Sequence, residues 1–457
     1  MPSPFLSCLL CLRREREKVK VPPFALNRGG KSPASSSDSD FQVQSRENLK
    51  DRNIKSGPET TTTVLEIPDR LDHNHNHNTL PKWNPALVVE REGKGDGKGK
   101  NTYRIIENYP YPTLESDDEV IISNRAVGLN PIDWKSVDFN FCLPEFPWIT
   151  GREMAGVVDA IGANVKDFKV GDRVWTSTYY RDRRAGCFQH YVTVPQHTVN
   201  HVPDNLDFAS AACLGVAGLT AAMTLWKWLE VAVPPPCPPQ SQSQPATGTV
   251  TTTLSLRTSA TSTTPFTEPP GEAADFLLIW GGSAVTAQFA IQIAVLSGLQ
   301  VIAVASEKTK SLVSGLGATH VVTRDGKTNS EIVAEVRRVG GDSITRGLDL
   351  VGTETATYCL QAMSQTRPSL FAPLAMIPSK AVIPDNIRVQ TVEMKQFVLN
   401  PDCGVYARQL NHLVCDGLLV MPSTHVLDGG LKSIQAGLDR LKSGDMAGKK
   451  LVVSMTM

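Results

Sequence analysis

The sequence predicts an α/β protein with two folded parts, a small β-barrel-type domain and a doubly wound parallel-sheet domain. Three observations carry that expectation. From Phe276 to Gly298 a short apolar run, a glycine pair and a helix-spaced apolar stretch follow one another. Ahead of it, many short strand-like segments are separated by glycine turns, the pattern of a small barrel. Behind it, strand-like and helix-like segments alternate, the pattern of a parallel sheet with crossover helices.

Residues 1–80 are Ser/Asp/Asn/Lys-rich, with SSSDSD, TTTT and HNHNHN tracts, and read as a disordered extension. The opening MPSPFLSCLLCLRRERE puts its apolar patch before its basic cluster, the reverse of a signal peptide. Cys8 and Cys11 form a lone Cys-x-x-Cys that could accept a lipid. His73, His75 and His77 alternate in a polar tract and read as solvated side chains before a metal site.

The barrel-type domain is expected over 81–231. Ala86–Glu90, Thr102–Ile106 and Glu119–Val127 read as strands, followed by a short helix at Pro131–Ser136. GREMAGVVDAIG is a strand punctuated by Gly151, Gly156 and Gly162, and Val170–Val174 starts the next. Phe188–Val194 alternates, Val199–Val202 closes the run, and helices at Phe208–Leu214 and Gly218–Leu229 lead onward. Residues 232–272 are Pro/Ser/Thr/Gln-rich and lack a core-forming pattern. Such an insert is either a surface loop or sequence that a different gene model would remove.

The doubly wound domain is expected over 273–380. Phe276–Trp280 suits a strand buried on both faces, Gly281-Gly282-Ser283 turns the chain, and Val285–Val295 has helical spacing up to Ser297-Gly298. Strands then follow at Gln300–Ala305, His320–Thr323, Gly347–Val351 and Leu374–Ile377. Helices at Lys308–Gly315, Ser330–Val339 and Thr353–Ser364 connect them. Residues 381–457 return to the first domain, with Lys450–Ser454 as a strand pairing into it.

Composition narrows the function. Forty-six basic and 46 acidic residues cancel, which argues against a nucleic-acid partner. Nine scattered cysteines suit a reducing compartment, the cytoplasm. No apolar run is expected to reach the ~20 residues of a transmembrane segment. Against the dinucleotide fingerprint GxGxxG the chain offers Gly282, Ala284 and Ala287. Two readings fit: a turn whose helix-start N–H groups hold a phosphate, or a glycine turn joining a core strand to a core helix.

Further motifs are AVGLNPIDWK (126–135), TGREMAGVVDAIG (150–162), VGDRV (170–174), GCFQHYVTVP (186–195), GVAGLTAAMTL (215–225), SGLGATHVV (314–322) and DLVGTETA (349–356). On these the chain resembles the medium-chain dehydrogenase/reductase superfamily, over 82–457 apart from the insert. WGGSAVTAQFAIQIA is similar to the nucleotide turn of its zinc-independent fungal enoyl reductases. These act in trans on polyketide synthases and are called ToxD-like oxidoreductases. The resemblance implies a GroES-like barrel domain and a Rossmann domain.

It also implies roles for particular residues. The positions of the superfamily's catalytic zinc ligands hold Asn130, Arg152 and Val216, with only Glu153 left nearby. One carboxylate cannot hold zinc against water, so no metal is expected. The nucleotide turn maps onto Gly281, Gly282, Ser283, Ala284, Val285 and Thr286. After the second strand, where NAD-specific sites carry an acid, stand Ser306, Lys308 and Lys310, with Glu307 between. A hydroxyl and two cations suit the 2′-phosphate of NADPH, although both lysines also fit solvated helix positions. Thr220 falls where the family's hydroxyl meets the nicotinamide, or is a helix-start cap. Gly352 would allow a backbone approach to the ring. Asn130, Asp133 and Lys135 would line the interdomain cleft. Lys135 is then a carbonyl-steadying or proton-delivering group, or a surface lysine. Tyr179 and Tyr180 are alternative acids.

The expected activity is NADPH-dependent hydride delivery to the β-carbon of an α,β-unsaturated carbonyl. The substrate would be an enoyl thioester, free or carried by a polyketide synthase. A quinone or free-enone reductase of the zeta-crystallin type, and a nucleotide-binding interaction protein without turnover, are the alternatives.

Overall fold

A computed structural model describes residues 83–92, 100–178, 182–234, 275–444 and 446–455. The expectations for residues 1–80, for nearly all of the insert and for Tyr179 and Tyr180 lie outside the described residues.

In the first domain β1 (Ala86–Glu92) pairs antiparallel with β2 (Lys100–Ile106) and with β4 (Trp148–Ile149). The larger sheet is built around β3 (Glu119–Gly128), which pairs antiparallel with β5 (Glu153–Ile161) and β7 (Tyr191–Pro195). Beyond β5 come β6 (Arg173–Ser177) and then β8 (Val199–His201). Gly156 is required where β5 crosses β3, because a Cβ there would lie 2.2 Å from the Ser123 carbonyl oxygen.

The second domain is a parallel sheet of β9 (Phe276–Trp280), β10 (Gln300–Ala305), β11 (His320–Thr323), β12 (Ile344–Asp349), β13 (Ser369–Pro373) and β14 (Ile387–Val389). Its order, β11-β10-β9-β12-β13-β14, is that of a Rossmann sheet, with the switch point beside β9. The alternating side chains of β9 feed two cores. Leu277 and Ile279 pack with helix Val285–Leu296 and with residues from Ala211 to Val231. Phe276, Leu278 and Trp280 pack with helices Asn329–Gly340 and Thr353–Ala362. Each such fully buried apolar side chain contributes about 1.5–3 kcal/mol relative to exposure, which explains why an unbroken apolar pentapeptide makes this strand.

The chain then returns. β15 (Thr424–Leu427) pairs parallel with β16 (Lys450–Ser454), and β16 pairs antiparallel with β3, so the last strand completes the first domain's sheet.

Several expectations need correction. Leu374–Ile377 is a turn with Met376 at φ 77°; the strand is Ser369–Pro373, ending at a residue that cannot donate to a ladder. The parallel sheet runs past residue 380, because β14 is too short to announce itself in an apolar pattern. The helix expected from Lys308 begins as a 3₁₀ turn, Glu307–Thr309, before Lys310–Gly315. Phe208–Trp228 is a single helical run in which π segments, Leu214–Gly218 and Thr224–Trp228, flank Leu219–Met223. At 21 residues and mean hydropathy 1.7 it is long and apolar enough to cross a membrane, contrary to expectation. Here it fills the core against helix Val285–Leu296, with 72% of its most apolar window buried.

Candidate active site

The nucleotide turn is shaped by packing. Gly281 has φ 92°, and a Cβ on it would lie 2.8 Å from Val351 Cγ2; one on Gly282 would lie 2.9 Å from Ala303 Cβ. Both amides donate to the Val304 carbonyl oxygen, at 3.1 and 2.8 Å, which folds the turn over the end of β10. Ala284 stands at the N-cap of helix Val285–Leu296 and supplies no side-chain cap. The first-turn amides, those of Val285 and Thr286 among them, are thus left for an outside acceptor, and the helix dipole favours an anion. Gln288 Nε2 pins the turn from behind, donating to the Ser283 carbonyl at 3.0 Å and to that of Gly448 at 2.6 Å.

At the end of β10, Ser306 Oγ lies 2.9 Å from Thr309 Oγ1. Lys308 and Lys310 are exposed, and Lys310 Nζ is 3.8 Å from Glu307 Oε1. An exposed pair at that distance is weak, so Glu307 removes little of the local positive charge. The Glu307 amide is itself bound at 2.6 Å by Asp325 Oδ2. Arg324, not singled out from sequence, joins this edge: its amide donates to the Ala305 carbonyl at 3.0 Å. Its signal was its place directly after β11, the strand beside β10.

The first domain holds a buried polar cluster at the zinc-equivalent positions. Lys450 and Glu153 are 3% and 0% exposed and form an ion pair through Glu153 Oε1. Lys450 Nζ also donates to Asn130 Oδ1 at 2.7 Å, while Asn130 Nδ2 donates to Glu153 Oε1 at 2.9 Å. Glu153 Oε2 accepts the Val216 amide at 2.5 Å. Three expected neighbours, Asn130, Glu153 and Val216, do meet, and they meet around a lysine that sequence reasoning did not single out. Its signal was a charged residue opening a strand expected to pair into a core.

Asp133 does not line the cleft. It is 1% exposed, and its Oδ2 accepts the Asn130 amide at 2.8 Å, closing the N-terminus of helix Pro131–Asp138. Burial pushes its carboxyl up to about 7, against the pull of Arg152 and Lys450. Lys135, on the same helix, is half-buried, with Nζ 5.6 Å from the centre of the Trp134 ring. Lys442 approaches that ring at 5.3 Å and is paired with Asp138. Among the described residues Lys135 has no carboxylate at ion-pair distance.

Thr220 lies inside the helical run and is not a cap. It is 8% exposed, and among the described residues its hydroxyl has no hydrogen-bond partner. Gly352 is extended, with open space where a Cβ would stand. Its amide is already held by Asp349 Oδ2 at 3.2 Å and Thr355 Oγ1 at 3.1 Å. Asp349 is pushed up to about 6, chiefly by burial.

Fold and site together define a two-domain α/β oxidoreductase. Residues 116–204 match the alcohol dehydrogenase GroES-like domain family. The chain is 28% identical over 347 residues to the trans-enoyl reductase himH of Aspergillus japonicus, covering 74% of this chain and 90% of that one. In fold it is similar to the CurK enoyl reductase, at TM-score 0.62 and 19% identity over 82% of this chain and 100% of that one. It is likewise similar to the Escherichia coli quinone oxidoreductase complexed with NADPH, at TM-score 0.59 and 17% identity over 81% and 99% of the two chains. In sequence the chain resembles the fungal trans-enoyl reductases, and its fold is shared with enoyl and quinone reductases.

Proposed function

We propose that this protein is an NADPH-dependent enoyl reductase that works without a metal. The carrying observation is the Gly281–Thr286 turn at the sheet's switch point, followed by the end of β10, where the first residue past the strand is Ser306 in place of an acid, with Lys308 and Lys310 next and Arg324 after the neighbouring β11. Similarity to trans-enoyl reductases supports an activated C=C as the substrate.

When bound, NADPH supplies a hydride to the β-carbon. The double-bond electron pair moves onto the carbonyl oxygen, and the α-carbon then takes a proton. The chain's own residues must hold the nucleotide, carry the developing oxyanion and deliver that proton. In this reading the turn amides take the pyrophosphate, and Ser306, Lys308, Lys310 and Arg324 take the 2′-phosphate by charge-assisted hydrogen bonds. Thr220 and Gly352 flank the nicotinamide, while Lys135 serves the substrate carbonyl and Asn130 shapes the cleft beside it. The donor set argues against zinc. Asn130, Arg152 and Val216 offer no thiolate or imidazole, and the Lys450 ammonium already sits against Asn130 and Glu153, where a divalent cation would be repelled.

The functional test is NADPH oxidation with crotonyl and longer enoyl thioesters, run beside free enones and quinones. Turnover of the thioesters is expected. Preference for a quinone would move the reading to a free-enone reductase, and binding without turnover would leave a nucleotide-binding protein. The cofactor choice is checked separately by fluorescence titration. NADPH is expected to bind at least about tenfold more tightly than NADH, a difference of ~1.4 kcal/mol. Equal affinities would overturn it.

A further inference from the structure

We propose that Lys450 is a positioning residue: with Glu153 and Asn130 it forms a fixed internal ion cluster that holds the start of helix Pro131–Asp138 and the π segment Leu214–Gly218 in register. The proposal rests on the enoyl reductase reading for what the cleft does, and on geometry for what Lys450 does. Asn130 opens helix Pro131–Asp138, which carries Lys135. Val216 belongs to the π segment Leu214–Gly218, which runs directly into the stretch carrying Thr220. Glu153 joins the two, taking Lys450 and Asn130 on Oε1 and the Val216 amide on Oε2.

The space is built around this carboxylate. A Cβ on Gly128 would lie 2.5 Å from Glu153 Oε1, and one on Gly215 would lie 2.7 Å from Glu153 Cβ. Glycine on each side lets the backbone close onto the pair. Lys450 itself arrives from β16, the last strand, so the contact spans 297 residues to Glu153 and 320 to Asn130.

Stability alone does not account for such a cluster. Two charges this deep lose their hydration, and an apolar pair of matched volume is often as stable or more so. What the ions supply is direction. The ammonium fixes which Asn130 atom faces it, Asn130 then donates to Glu153, and Glu153 in turn fixes the Val216 amide. An apolar pair would fill the space and leave the helix start and the π segment free to shift against each other. Shifts near 1 Å are enough to lower turnover by orders of magnitude.

The test uses the full-length protein and the variants Lys450→Met and Lys450→Met/Glu153→Gln. The double variant removes both charges, so it can fold where the single one leaves a buried, uncompensated carboxylate. Expected for the double variant is a thermal midpoint close to wild type, a kcat at least tenfold lower and an NADPH dissociation constant within twofold. A double variant that regains wild-type kcat together with its stability would overturn the proposal. Should the wild-type protein turn over no enone at all, the functional reading fails by itself. Deuterium uptake over 130–138 and 214–220 then decides the positioning role. Faster uptake in the double variant supports it, and wild-type uptake in both segments overturns it.

Discussion

Lys135→Met is expected to lower kcat by roughly 10²-fold, the usual scale for a lost proton donor or oxyanion partner. Hydride addition to an enoyl thioester places negative charge on the carbonyl oxygen, and a metal-free site needs a cation or hydrogen-bond donor there. Of the two lysines on the Trp134 ring, Lys442 is paired with Asp138, and Lys135 has no described carboxylate partner. The substitution itself is mild. Methionine and lysine have similar helix propensities, and the helix keeps its Asn130–Asp133 start. NADPH affinity should stay within about twofold, because the phosphate-binding turn belongs to the other domain. Steady-state kinetics with a crotonyl thioester, alongside cofactor titration, checks both halves. A variant with near-normal kcat would make Lys135 a solvated residue and move the proton-donor role to Tyr179, Tyr180 or bulk water.

The parts of this fold that could be read from sequence are those in which local pattern and tertiary role agree. Phe276–Trp280 is apolar throughout because it is covered on both faces, and of the glycines after it Gly281 takes φ 92° while Gly282 lies too close to Ala303 for a side chain. β16 was legible for the same reason: LVV is apolar and short, and it ends the chain against β3. Where local signal is weak or misleading, reading stopped. The π segments replaced an expected break near Gly215, because its amide neighbour Val216 finds an acceptor in Glu153 instead of ending the helix. At Asp133, helix capping and burial took a residue whose motif suggested a cleft position.

The deepest omission was Lys450. Nothing within ten residues of it hints at a partner, since its contacts lie some three hundred residues earlier in the chain. Motif comparison pointed to Asn130, Arg152, Val216 and Glu153 as the places where a metal would be held, and so framed the question as ligand or no ligand. The fold answers differently: it brings an ammonium to two of those residues. A long-range contact of this kind is visible only once β16 is set beside β3 in register, with Val452 opposite Gly128.

That contact underlies the largest stability effect expected here. Glu153→Ala removes the carboxylate and leaves the Lys450 ammonium 3% exposed with Asn130 as its remaining described partner. Breaking one side of a buried ion pair costs about 3–5 kcal/mol, because the remaining charge stays out of water unpaired. The Val216 amide also loses its acceptor, which adds to the loss. For a domain of this size the thermal midpoint should fall by about 10 °C or more. Glu153→Gln is the graded control. It keeps an oxygen for the Val216 amide and fills the space, while giving up the charge and the second acceptor oxygen, so its midpoint should lie between those of Glu153→Ala and wild type. Adding Lys450→Met to Glu153→Gln should then raise the midpoint again, since no charge is left buried. Differential scanning fluorimetry on the three variants reads this order directly. Because the chain has two domains, the first unfolding transition is the one to compare. A Glu153→Ala midpoint within about 2 °C of wild type, under the same relation between stability and midpoint, would mean that the ammonium finds water or another acceptor and that the pair is not energetically isolated.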